Sequence, residues 1–175
     1  TAAELESLCR SHPNIYFIID ESYLPFVNCG DQESMIGRGL PNVIVLNSMS
    51  KIFRISGLRI GFIIASKNII EKLTRYSLPW SVNTLAQVAG RYLMEHEAEV
   101  NAFIDHTQKL IETERNRFAE KLKGVSDIKL FPSTTSFILA KLLNRHTADT
   151  ICHHLSNEKI LIRNCSNFRG LSNRF

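Results

Sequence analysis

The 175-residue sequence has no CxxC pair, no apolar run long enough to cross a bilayer and no cluster of basic residues. Its four cysteines, at 9, 29, 152 and 165, are widely spaced and match no metal-ligand pattern. A chain of this length can bury a core without disulfide staples, so free thiols in a reducing compartment are expected. His153 and His154 are adjacent, and neighbouring positions on a helix point apart, which argues against a metal pair. No metal is expected. The longest apolar runs, IYFII and FIIA, fall far short of a transmembrane helix. No signal-peptide pattern is visible, and a cytoplasmic location without membrane contact is the expectation. A net charge of +4 and a pI near 9.0 would suit nucleic acid if the charge were focused. Here lysines and arginines are scattered, and Arg59 and Arg163 sit in apolar or glycine-bearing contexts that suit small anionic ligands. Nucleic acid is not an expected partner. Repeats and low-complexity tracts are also missing.

What is there alternates between strand and helix. Thr1-Ala-Ala-Glu4 has capping-box spacing, with Leu5 and Leu8 following on one helical face. NIYFIID reads as a strand buried on both faces, as in parallel sheets under helices. NCGDQESMIGRGLPN is a polar connection with a short helix near Glu33–Ile36. VIVLNS and RIGFIIAS read as two further buried strands. A helix begins near Lys67 and stops before Pro79, and PWSVNTLAQ turns into another. From Glu97 the residues Val100, Phe103, Ile104, Thr107, Leu110, Ile111, Phe118 and Leu122 keep helical spacing, with Gly124 placed to end the helix. Short strands near IKLF and SFILAKL, a helix over Ala148–Ser156 and a strand ILIR complete the chain. The change from long buried strands to short alternating ones divides an α/β part, residues 1–96, from a compact α+β part, residues 97–175, joined by a helix.

Chemistry-bearing side chains gather at the strand ends. Asp20 closes IYFIID, Ser48 closes the second strand, Lys51 follows in the next turn and Arg59 returns on the third. Ligands of open α/β sheets bind beyond the carboxyl ends of the strands. Taken singly, Asp20 before Glu21 and Ser22 reads as a turn former, and a loop lysine as a solvated one. The combination of strand-end acid, Ser-x-x-Lys and Arg-x-Gly is what points to a site. Ser-x-x-Lys also occurs in serine acyl-enzymes of the penicillin-binding kind, but these need S-D-N and K-T-G, and neither is in the sequence. A non-catalytic relic that binds a partner is the other rival.

IIDESYLPF and NSMSKIFRISGLRIGF together resemble fold-type-I pyridoxal-phosphate enzymes of the aminotransferase class I and II family, over nearly the whole chain. The resemblance implies the family's large domain, a mostly parallel sheet with helices, plus a smaller α+β domain. It implies pyridoxal 5′-phosphate as cofactor. Lys51 resembles the lysine that holds the cofactor covalently and later moves protons at the substrate's α-carbon. Asp20 resembles the carboxylate paired with the pyridinium nitrogen, which keeps the ring protonated and electron-withdrawing. Tyr23 resembles the tyrosine that bonds the ring's phenolic oxygen. Ser48, Ser50 and Arg59 resemble the phosphate ligands, two hydroxyls and a planar cation for a dianion. Gly57 and Gly61 would let the backbone pass closely. Arg163 resembles an arginine that meets a substrate phosphate.

Within the family, PWSVNTLAQ and IRNCSNFRGLSNRF look more like the threonine-phosphate decarboxylase branch than the histidinol-phosphate aminotransferase branch. The expected reaction is decarboxylation of L-threonine O-3-phosphate to (R)-1-amino-2-propanol O-2-phosphate in cobalamin biosynthesis. The alternative is a histidinol-phosphate or related aminotransferase, or an inactive fragment of either. Both would take a small phosphorylated amino acid or amine and act as a homodimer. The family pattern also has a phosphate-binding glycine loop, a ring-stacking aromatic and an asparagine before the aspartate strand, and a carboxylate-binding arginine shortly beyond SNRF. None of these is in the sequence, and Arg174 is not at that arginine's motif position. The chain is expected to be an internal piece of a longer protein.

Overall fold

Thr1 opens the first helix as its spacing predicts. In the computed structural model of the protein, which describes residues 1–28, 30–143 and 145–175, α1 (Ala2–Ser11) has a complete capping box between Thr1 and Glu4. Its inner face carries Ala2, Leu5 and Cys9 onto a small core with Met35, Leu40, Phe17, Ile19, Val43 and Val45. Cys9 is fully buried, and burial raises its thiol pKa. Cys9, Cys152 and Cys165 are free thiols; Cys29 lies outside the described residues.

Under α1 lies a three-stranded sheet with its second strand in the middle. Strands β1 (Phe17–Asp20) and β2 (Val43–Ser48) pair in parallel, Phe17 opposite Val43 through Asp20 opposite Leu46. The third strand, β3 (Gly61–Ala65), runs antiparallel to β2. The sheet is therefore mixed. A parallel return usually runs through a full helix crossing the sheet. Between β2 and β3 the chain has only the one-turn helix Met49–Ile52 and a 3₁₀ turn at Ser56–Leu58. Burial also differs from the sequence expectation of strands covered on both faces. Helix α1 covers the face bearing Phe17, Ile19, Val43 and Val45, whereas Ile18 on the other face is 67% exposed and Ile63 45%. Where β2 and β3 meet, a Cβ on Gly61 would come within 2.6 Å of the Asn47 carbonyl oxygen, so the close approach requires glycine.

The described residues divide into two compact units, Thr1–Lys109 and Leu110–Phe175. In the first, the short connecting helix is α2 (Gly30–Glu33), ending where the sequence suggests it begins. With Met49–Ile52 as α3, the next helices are α4 (Lys67–Thr74), α5 (Thr84–Glu95) and α6 (Glu97–Leu122), the last running on into the second unit. Gln108 on α6 donates from Nε2 to the carbonyls of Pro25 (2.9 Å) and Val27 (3.2 Å), fixing the 3₁₀ turn Leu24–Phe26 that follows β1.

The second unit holds an antiparallel pair, β4 (Ile128–Leu130) with β5 (Ala140–Leu142), and α7 (Ala148–Asn157), capped by Thr147. Gly124 follows α6 without taking positive φ. Residues 160–163, the expected strand ILIR, form no strand. The Leu142 amide on β5 donates to the Arg174 carbonyl at 2.8 Å. Leu161 is left 86% exposed. Among the described residues no helix is long and apolar enough to cross a membrane.

Candidate active site

Because β1 and β2 are parallel, their carboxyl ends open on the same edge of the sheet, bringing Asp20 and Ser48 there together. β2 passes into α3 without a linker, which sets Lys51 one turn beyond Ser48. Asp20 is followed by a tight turn carrying Tyr23. The Lys51 Nζ lies 5.2 Å from the centre of the Tyr23 ring, a cation over an aromatic face. Lys51 is also close enough to Asp20 for its charge to favour the carboxylate. The structure thus brings Asp20, Tyr23 and Lys51 together from two adjacent strand ends.

Asp20 is held below the usual aspartate range. The largest cause is a hydrogen bond from the Ser22 side chain, then one from the Ser22 backbone amide to Oδ1 at 2.9 Å; desolvation opposes them, and the Lys51 charge adds a smaller push. The turn-former reading of Asp20 holds locally, since the Ser22 amide closes the turn onto its carboxylate. Glu21 faces elsewhere. Buried at 6% exposure, its carboxylate accepts from Ser34 Oγ at 2.7 Å and the Met35 amide at 2.6 Å, anchoring the loop that returns toward β2.

Ser48, Ser50 and Arg59 lie along the segment from the end of β2 to the start of β3. Ser48 pairs with Gly61 across the two strands, and Ser50, buried, donates its hydroxyl to the Ile60 carbonyl at 3.2 Å. That bond occupies the Ser50 proton and ties the Lys51 turn to the start of β3. Arg59 is exposed and has left-handed backbone geometry, φ 55°, as does Arg54 at φ 57°. Such conformations cost side-chain-bearing residues of order 1 kcal/mol or more and are concentrated at functional sites. The Arg59 guanidinium donates to the Ser56 carbonyl at 3.2 Å. Asn83, the last residue of PWSVN, caps α5 through the Ala86 amide (2.9 Å) and donates to the Leu58 carbonyl at 3.0 Å, steadying the backbone just before Arg59.

Arg163 belongs to the second unit. Its guanidinium donates to Asn167 Oδ1 at 3.0 Å and lies 5.3 Å over the Phe168 ring. In the first unit a cavity of about 360 Å³ is lined by Glu21, Asp31, Asn47, Asp105 and Gln108 among others, but by neither Asp20 nor Lys51. Sequence reasoning leaves Ser22 and Asn83 without roles at the site. The Asp-x-Ser spacing is the one signal that announces Ser22, as the pattern of a carboxylate capped by an amide two residues on.

The family model for Aminotransferase class I and II matches residues 1–175. The adenosylcobalamin biosynthesis bifunctional protein CobDQ of Leptospira interrogans is 31% identical over 98% of the chain, which covers 19% of that protein. A histidinol-phosphate aminotransferase of Prosthecochloris aestuarii is 31% identical over 89% of the chain and 42% of its own length. Among solved structures, the L-threonine-O-3-phosphate decarboxylase of Porphyromonas gingivalis superposes with a TM-score of 0.85 at 30% identity, covering 99% of this chain and 52% of that one. The chain thus spans about half or less of each relative.

Proposed function

Because the chain belongs to the aminotransferase class I and II family, we propose that the protein carrying it is a pyridoxal-phosphate-dependent lyase. Its proposed substrate is L-threonine O-3-phosphate, decarboxylated to (R)-1-amino-2-propanol O-2-phosphate. Residues 1–96 are proposed as the carboxyl-terminal part of the cofactor-binding large domain and 97–175 as the small domain, in an enzyme that acts as a homodimer. The convergence of Asp20, Tyr23 and Lys51 at adjacent strand ends carries the reading.

The donor set fits the cofactor: an amine for its aldehyde, a carboxylate for its ring nitrogen, a phenol for its ring oxygen, and hydroxyls with a guanidinium for its phosphate. When bound, pyridoxal phosphate supplies the electron sink for the bond broken at the substrate's α-carbon. Lys51 binds the cofactor and afterwards moves a proton at that α-carbon. Asp20, kept ionised by Ser22, holds the proton on the ring nitrogen. Tyr23 orients the ring through its phenolic oxygen. Ser48 and Arg59 bind phosphate; Ser50, already bonded to Ile60, acts on the same turn. Arg163 meets the substrate's phosphate with a fixed planar charge, which matches phosphate better than a lysine would.

Decarboxylation is favoured over transamination by the decarboxylase-like PWSVN and RNCSNFRGL and by the likeness to a solved threonine-phosphate decarboxylase. The histidinol-phosphate aminotransferase likeness supports the second reading. The substrates separate the two, because phosphothreonine has a carboxylate to lose and histidinol phosphate has none. The intact protein should release carbon dioxide from phosphothreonine without consuming a keto acid. Transfer of the amino group of histidinol phosphate to 2-oxoglutarate, with no carbon dioxide from phosphothreonine, would establish the second reading instead.

A further inference from the structure

We propose that Asn83 is the positioning residue of Arg59: its side-chain amide clamps the Leu58 carbonyl to the first turn of α5, and so holds the left-handed backbone from which the Arg59 guanidinium is presented. The inference rests on the reading of Arg59 as a ligand of the cofactor's phosphate.

Arg59 stands at the end of the 3₁₀ turn Ser56–Leu58 with φ 55° and ψ 52°. In that region the Cβ of an L-residue crowds the following carbonyl oxygen, and an exposed arginine left to itself would relax to right-handed or extended backbone. Contacts from outside the residue must hold it. The Leu58 carbonyl lies in the same peptide plane as the Arg59 amide, so a bond that fixes this oxygen fixes one side of the φ rotation. Asn83 Nδ2 makes that bond at 3.0 Å. Beyond Arg59, the Ser50 hydroxyl holds the Ile60 carbonyl at 3.2 Å. The Ile60 side chain lies against α5, where a Cβ on Gly90 would come within 3.0 Å of its Cδ1. Helix α5 therefore touches the chain on both sides of Arg59.

The residue type at position 83 fits this task better than it fits capping alone. Asn83 Oδ1 accepts from the Ala86 amide at 2.9 Å, closing the first turn of α5. Asparagine, aspartate and serine cap helices about equally well. Here, however, the two partners are of opposite kind, an N–H on one side and a carbonyl on the other. The amide offers an acceptor and a donor on separate atoms, so it satisfies both at once. Aspartate has no donor for Leu58, and a serine hydroxyl ends one bond short of it. The Arg59 guanidinium donates to the Ser56 carbonyl at 3.2 Å, so its head rests on the same turn that Asn83 steadies. A planar cation matches phosphate through paired bonds in a fixed geometry; displaced, it keeps its charge and loses that match.

The test reads the Arg59 backbone first, without cofactor. In the intact protein carrying ¹⁵N-labelled arginine, the Arg59 amide resonance is assigned by its loss in Arg59→Lys. Positive φ brings the amide proton close to the residue's own Hα, so native Arg59 should show a strong cross-peak between them. Asn83→Ser keeps a neutral cap on α5 and should weaken that cross-peak toward the level of the other arginines. Where Asn83→Ser does not fold, Asn83→Asp, isosteric and still a cap, is read by the same cross-peak. A cross-peak unchanged by substitution of Asn83, or missing from the native protein, would overturn the proposal. Dissociation constants for pyridoxal phosphate and for pyridoxal, which lacks the phosphate, are then measured on native and Asn83→Ser protein. The preference for the phosphorylated form should fall about tenfold, the scale of one hydrogen bond to a charged group. An unchanged preference with a displaced Arg59 would undo the reading of Arg59 as phosphate ligand and leave the hold of Asn83 on it standing, so the two failures are distinguishable.

Discussion

Asp20 combines an exposed carboxylate with a pKa below the usual aspartate range, the work of the Ser22 hydroxyl and amide more than of any opposite charge. A depressed native value means that the ionised form contributes stability above the unfolded-state value. That contribution is lost as the pH falls through the lowered native value. Asp20→Asn should therefore lessen the loss of stability in acid, read from urea unfolding at neutral and acid pH. The same substitution should leave cofactor binding largely intact while cutting turnover by on the order of 10²–10³, because a neutral amide cannot hold the proton on the ring nitrogen. Absorbance of bound cofactor and a single-turnover assay read the two effects separately; unchanged turnover in a folded variant would remove Asp20 from the site.

Among the elements, the end of α1 is bonded to the start of the sheet through Asn42, beside the packing of its inner face. Asn42, 4% exposed, donates from Nδ2 to the carbonyls of Cys9 (3.0 Å), His12 (3.1 Å) and Ile15 (3.0 Å), joining the end of α1 to the start of β1. Asn42→Ala strips the buried donor from carbonyls in a site with little water and should cost about 1–3 kcal/mol, seen as a lower urea midpoint with unchanged slope. No change in midpoint would mean that water replaces the amide at no cost. Elements of this kind were legible in sequence to different degrees. The α1 capping box, the bounds of β2 and the start of α6 follow from local signals. The direction of β3 depends on what lies between two strands, and ILIR forms no strand although its residue types suit one. Neither fact is written in the segment concerned.

Over the whole molecule, the proposed cofactor residues all lie in Thr1–Lys109 and the proposed phosphate-binding Arg163 in Leu110–Phe175. The proposed cofactor residues stand out in the sequence because they fall in two short motifs at neighbouring strand ends. Their supports do not. Ser22, Glu21 and Asn83 act through hydrogen bonds to specific backbone and side-chain atoms, and the structure is what places those partners. The joint placement of Asp20, Tyr23 and Lys51 is the center of the functional account, and Lys51 is its most direct test. The intact protein, loaded with pyridoxal phosphate and reduced with borohydride, should be digested and its modified peptide sequenced. A single phosphopyridoxyl group on Lys51 is the predicted result; a label on any other lysine, or none in a cofactor-loaded protein, would contradict it.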